Sequence, residues 1–127
     1  MRTNLNIAFR VDASKIIGIG HFMRCFTLAE KLRKEGAVTR FVCEHLPASL
    51  EKSLTDNKHE ISIIKYNNKM STTNTYQDFL NINQEQDATD TSIALSDRKW
   101  DWLIVDHYGI DIKYESIMRH SIENILV

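Results

Sequence analysis

The stretch LNIAFRVDASKIIGIGHFMRCFTLAEKLRKEGAVTRFVC, residues 5–43, decides the fold. Leu5 to Arg10 is short and apolar and reads as a strand. A loop runs from Val11 to Gly20. Phe22, Cys25, Phe26, Ala29 and Leu32 then recur at helical spacing and form one apolar helix face. Gly36 stands where a left-handed C-terminal cap belongs, with Arg33 and Lys34 in the last turn, where cations suit the helix dipole. Arg40 to Cys43 is a second strand. Strand, helix and strand in this order make the βαβ unit of a parallel sheet.

The same alternation continues outward. Pro47 is expected at the first turn of a second helix that runs to about Asp56. Glu60 to Ile64 is a third strand, and the polar Tyr66 to Asn83 reads as a long loop. Asn83 to Gln86 resembles a capping box that opens a helix ending near Ser96. Trp102 to Asp106 (WLIVD) is almost wholly apolar, which predicts a strand buried on both faces. A helix over about Ile112 to His120 and the start of a fifth strand at Ile125 to Val127 complete the pattern. The expected fold is α/β: a Rossmann-like, mostly parallel sheet forming one domain over 1–127. The abrupt apolar ending leads us to expect the amino-terminal part of a longer protein.

Composition narrows the function classes. The chain has 127 residues, with 16 Lys+Arg against 17 Asp+Glu and a net charge of −1. A nucleic-acid binder needs a basic stripe, and a polybasic membrane module needs a cationic cluster, so neither partner is expected. Hydrophobic residues at 43% and charged residues at 26% are globular values that exclude a disordered chain. No apolar run approaches the roughly 20 residues of a bilayer span, and the start lacks an apolar signal core. Cys25 and Cys43 form no CxxC pair. Reduced thiols in the cytoplasm are expected, both as core residues.

Ligands of such sheets bind beyond the carboxyl ends of the strands. Asp12 follows the first strand, Gly18-Ile19-Gly20-His21 leads into the first helix, and Asp106-His107-Tyr108 closes the fourth strand. All three groups are expected on one sheet edge. The glycine pattern fails as a dinucleotide fingerprint, because Met23 stands at the third glycine. It fails as a P-loop too, because His21-Phe22 follows Gly20. Gly18 and Gly20 still let a ligand approach the backbone, and helix N–H groups favour an anion. The helix dipole disfavours imidazolium at His21, so a neutral imidazole is expected, either as a general base on water or as a helix cap. Asp106 either positions a ligand or caps its turn, Asp12 binds ligand or shapes its loop, and Tyr108 lines the cleft or packs. Arg24 faces a phosphate or solvent. His45, His59 and His120 are expected at the surface. No four ligands have zinc-like spacing, so no metal and no cofactor are expected.

Two blocks together resemble a known family. Phe9-Arg10-Val11-Asp12-Ala13-Ser14 with Ile17-Gly18-Ile19-Gly20-His21-Phe22-Met23-Arg24-Cys25 and Leu28-Ala29 is similar to the opening of the UDP-sugar hydrolases of pseudaminic-acid biosynthesis. Leu103-Ile104-Val105-Asp106-His107-Tyr108-Gly109-Ile110 resembles that family's second motif, and Gln84 to Thr91 its intervening helix. The resemblance implies the amino-terminal half of a B-type glycosyltransferase-like fold, with a carboxyl-terminal UDP-binding domain outside this chain. It implies hydrolysis of a UDP-linked diacetamido-trideoxy sugar, water inverting the anomeric carbon and UDP leaving. The family's catalytic histidine falls on His21, its Arg-x-Asp motif on Arg10 and Asp12, and its Asp-His-Tyr motif on Asp106, His107 and Tyr108. No metal is implied. The alternatives are a non-catalytic sugar-binding half-domain and the acceptor-binding half of a glycosyltransferase.

Overall fold

The computed structural model describes residues 5–13, 19–64, 86–106, 118 and 122–126. It contains β1 (Asn6–Val11), α1 (Gly20–Lys34), β2 (Val38–Cys43), α2 (Ala48–Asp56), β3 (Glu60–Ile63), a helical stretch at 86–94, β4 (Trp100–Asp106) and β5 (Ile122–Leu126). The expected loop at 66–83 lies outside the described residues. So does the expected helix at 112–120, apart from Met118, which is helical. Among the described residues no helix is long and apolar enough to cross a membrane.

All five strands are parallel, in the order β3-β2-β1-β4-β5. β1 is central because its side chains satisfy two layers at once. Ile7, Phe9 and Val11 point to one face, where Phe22, Cys25 and Ala29 of α1 and Leu54 of α2 cover them. Ala8 points to the other face, against Ala88, Leu95 and Met118. The period of two in β1 meets the helical period of α1 on one side and of 86–94 on the other. Phe9 stacks on Phe41 with ring centroids 4.9 Å apart, and Phe22 meets Phe41 at 5.5 Å. Each fully buried side chain of this size contributes about 1.5–3 kcal/mol.

Local chemistry sets the helix ends. The Gly36 N–H donates to Arg33 and the Ala37 N–H to Leu32, with Gly36 at φ 101°, so α1 closes in a Schellman motif. α2 closes the same way with Lys58 at φ 68°. Pro47 precedes α2 at its N-cap rather than standing in its first turn. Its carbonyl accepts from Leu50 and Glu51, the work that places it at the boundary.

β4 departs from expectation. Leu103 and Val105 are buried, but Trp102 is 38% exposed. The 86–94 layer covers one face of β4, whereas α1 reaches the other only near its carboxyl end, where Cys25 meets Asp106. Trp100 is buried beneath two cations, with the Arg40 and Arg98 guanidiniums 4.9 and 5.2 Å from the ring centroid. Arg40 forks onto Asp97 at 2.8 Å twice and onto Glu60 at 2.9 and 2.7 Å. The hydrogen bonds from Arg40 hold the Asp97 carboxyl at about 2, below its ordinary 3.8. A carboxyl lowered by folding stabilises above its unfolded value and loses that contribution as pH falls through its folded one. Wild-type Tm is therefore expected to fall between pH of about 3.8 and about 2. An Asp97→Asn variant should start lower at pH 6 and fall less across that window. Parallel Tm profiles would remove the role assigned to this pair.

Candidate functional site at the sheet edge

The chain leaves β1 outward through β2 and β3, then returns to the other side of β1 as β4 and β5. The strand order reverses between β1 and β4, and their carboxyl ends open a crevice there. Val11, the last residue of β1, is in register with Asp106, the last of β4. α1 starts at Gly20 above this point. Among the described residues, a Cβ placed on Gly20 would meet nothing within 4 Å.

His21 and Asp106 meet here. His21 Nδ1 lies 2.6 Å from Asp106 Oδ1, with the side chains 37% and 21% exposed. Arg24, 70% exposed, places Nη2 3.0 Å from Asp106 Oδ2 and 2.8 Å from His21 Nδ1. Both short contacts at Nδ1 cannot be hydrogen bonds in one tautomer. We assign the proton to Nδ1, donating to Asp106, because Arg24 already has Asp106 Oδ2 as its acceptor. Nε2 is then the basic nitrogen of the ring. Asp106 is a partner of the ring that the helix-dipole reading of the sequence left out. The pair resembles the base-and-orienter arrangement of general acid–base sites.

Arg10 and Asp12 take another place. Arg10 is fully buried and Asp12 is 2% exposed. Arg10 donates from Nε to Asp87 Oδ1 at 2.9 Å, from Nη2 to Asp87 Oδ2 at 2.5 Å and from Nη1 to Asp12 Oδ1 at 2.8 Å. Asp12 Oδ1 also accepts the Glu44 N–H at 2.7 Å and the His45 N–H at 3.2 Å. Burial alone would lower the Arg10 pKa, but the Asp87 and Asp12 carboxylates outweigh it and raise it well above its ordinary value. Expected from the resemblance as substrate contacts, Arg10 and Asp12 are here an internal clamp that shapes the crevice floor. Gly18, His107 and Tyr108 lie outside the described residues.

The thiols belong to the core, as expected. Burial pushes both Cys25 and Cys43 up to about 12, so neither is a thiolate at neutral pH. His59 is a correction, because it is 5% exposed rather than on the surface. Its Nδ1 lies 2.5 Å from Thr39 Oγ1 and its Nε2 2.5 Å from Glu30 Oε2, with the Phe26 and Phe41 rings edge-on to it. Burial lowers the His59 pKa against the pull of Glu30. His45 stays exposed beside Glu44. Among the described residues no group of three or more His, Cys, Asp or Glu is arranged to hold a metal ion.

Asp87 and Glu30 are the partners that sequence reasoning missed. One signal did exist for Asp87. An arginine inside an apolar central strand requires a buried carboxylate, and Asp87 stands in the first turn of a helix bound to cross that sheet.

No protein-family model matches the chain, and no curated protein matches it. Among solved structures the chain is similar to a glycosyltransferase from Rickettsia africae ESF-5, with TM-score 0.56 and 14% identity. The match covers 98% of this chain and spans 29% of that one. Likeness at this identity speaks to architecture alone, and the architecture is a glycosyltransferase-like α/β fold with an all-parallel five-stranded sheet.

Proposed function

We propose that this chain is the histidine-bearing domain of a UDP-sugar hydrolase that acts in pseudaminic-acid biosynthesis on a UDP-linked diacetamido-trideoxy sugar. The observation that carries the proposal is the His21–Asp106 pair, 2.6 Å apart at the crevice between β1 and β4. Two lines support it: the glycosyltransferase-like fold, and the resemblance of residues 9–25 and 103–110 to that hydrolase family. The UDP-binding wall of the cleft is assigned to residues outside 1–127.

In this mechanism Asp106 holds Nδ1–H, so Nε2 takes a proton from water as the water oxygen attacks the anomeric carbon. The bond from that carbon to the β-phosphate oxygen breaks, and its electron pair leaves with UDP. Asp106 stabilises the imidazolium that forms. Arg24, exposed one turn into α1, supplies a cation beside the leaving diphosphate. The resemblance assigns His107 and Tyr108 to substrate binding.

A second reading replaces water by a sugar hydroxyl. The glycosyltransferase neighbour favours it, because the same base deprotonates either nucleophile. The test is to incubate the full protein, with both walls of the cleft, with the UDP-linked sugar, with and without sugar acceptors, and follow UDP and the product anomer by NMR. UDP release without acceptor, with inversion, is expected. Transfer to an acceptor outpacing transfer to water would replace hydrolysis by glycosyl transfer.

A further inference from the structure

The buried clamp continues beyond the residues assigned above. Asp87, 4% exposed, stands on the helical stretch 86–94, on the sheet face opposite α1. Its two oxygens take the Nε and Nη2 edge of Arg10, and its Oδ1 also accepts the Thr91 hydroxyl at 3.2 Å. A two-point fork fixes the plane of a guanidinium as well as its position. The third nitrogen, Nη1, is thereby aimed at Asp12. Asp12 Oδ1 in turn gathers the backbone N–H groups of Glu44 and His45. The Ala13 N–H closes the circuit onto the His45 carbonyl at 2.9 Å. Asp12 is one residue beyond Val11, whose register partner is Asp106. One polar chain thus runs from a helix on the far face to the loop that flanks the crevice.

We propose that Asp87 is a positioning residue for this crevice. Through Arg10 and the Asp12 carboxylate it holds the 44–45 loop where a bound sugar nucleotide requires it. The proposal rests on the hydrolytic reading for its ligand, but not for its structural half. Every link from Asp87 to the loop is a side chain at least nine-tenths buried, so a displacement at Asp87 has no slack in which to dissipate. An asparagine at 87 keeps the size but turns one of two acceptors into a donor facing Arg10, which breaks the fork.

The experiment combines amide hydrogen exchange with kinetics of UDP release, on wild type and Asp87→Asn. Exchange at the Glu44 and His45 amides is expected to rise roughly 10-fold, with the Phe22–Leu32 amides of α1 unchanged. KM for the UDP-linked sugar should rise about 10-fold with kcat within about 3-fold, the mark of lost ground-state binding. Should Asp87→Asn fail to fold, Thr91→Val removes only the hydroxyl on Asp87 Oδ1 and is expected to move the same readouts about 3-fold. Unchanged loop exchange, or exchange raised equally throughout α1, overturns the positioning role. So does loosened loop exchange with an unmoved KM. A wild type that carries both walls of the cleft and releases no UDP overturns the hydrolytic reading instead, and loop-confined exchange then decides the role of Asp87 by itself.

Discussion

Replacing His21 by alanine is expected to lower kcat for UDP release by about 10²–10⁴-fold, the usual contribution of a positioned general base. KM should stay within about 3-fold, because the base meets the water and not the nucleotide. The geometry supports a second, independent arm. Asp106→Asn preserves the shape beside His21 but removes the charge that stabilises the imidazolium. Its amide can also present an N–H toward Nδ1, which shifts the ring proton to Nε2 and removes the basic lone pair. A loss on the order of 10² in kcat is expected. The double variant should lose no more than His21→Ala alone, because both residues act through one proton transfer. Wild-type rates in His21→Ala would eliminate the base assignment and with it the mechanism.

The second large effect is on stability. Arg10→Met leaves the Asp12 and Asp87 carboxylates together in the interior without the cation that neutralises them. Breaking a buried ion pair from one side costs about 3–5 kcal/mol. For a domain of this size that is a fall in Tm of roughly 10–20 °C. The remedy follows from the same electrostatics. In Arg10→Met with Asp87→Leu one orphaned charge is gone, and more than half of the lost stability should return. Asp12 keeps its two backbone donors from Glu44 and His45 in that variant. Thermal unfolding of the three proteins checks this. A loss under about 1 kcal/mol in Arg10→Met would mean that water reaches the clamp.

The two predictions separate what Arg10 and His21 do. Arg10 lies within the sheet and its loss is felt in folding. His21 lies at the crevice, 37% exposed, and its loss is expected to be felt in chemistry. Arg10 entered the sequence reading through the Arg-x-Asp motif of the resemblance, and His21 through its place at the helix start as well. Burial tells them apart.

Much of the fold follows from short-range pattern. The alternation of Ile7, Phe9 and Val11 against Ala8 and Arg10 is a strand pattern that needs no tertiary information, because successive side chains must point to opposite faces. The spacing of Phe22, Cys25 and Ala29 and the position of Gly36 define α1 at both its face and its end. Repetition of strand and helix then leaves the parallel sheet as the economical packing. The convergence of Asp12, Gly20, His21 and Asp106 on one edge was legible for the same reason, since every parallel strand carries its loop at the same end.

Other features depended on which strands became neighbours. The His21–Asp106 pair exists because β4 returns beside β1 in register, Val11 against Asp106. The Arg10–Asp87 fork joins residues 77 positions apart across a sheet face. The sequence around Arg10 calls for a buried carboxylate, but only the packing decides that Asp87 supplies it. His59 looked like a surface histidine until the packing of Phe26, Phe41, Thr39 and Glu30 enclosed it. Trp102 looked buried until α1 left its face partly open. The sequence by itself therefore determined the elements, their order and the edge on which polar residues gather, because those obey periodicities of two and 3.6 residues. Only the tertiary structure decided which charges meet and which are buried, because ion pairing and desolvation depend on distances across the sheet that local periodicity does not encode.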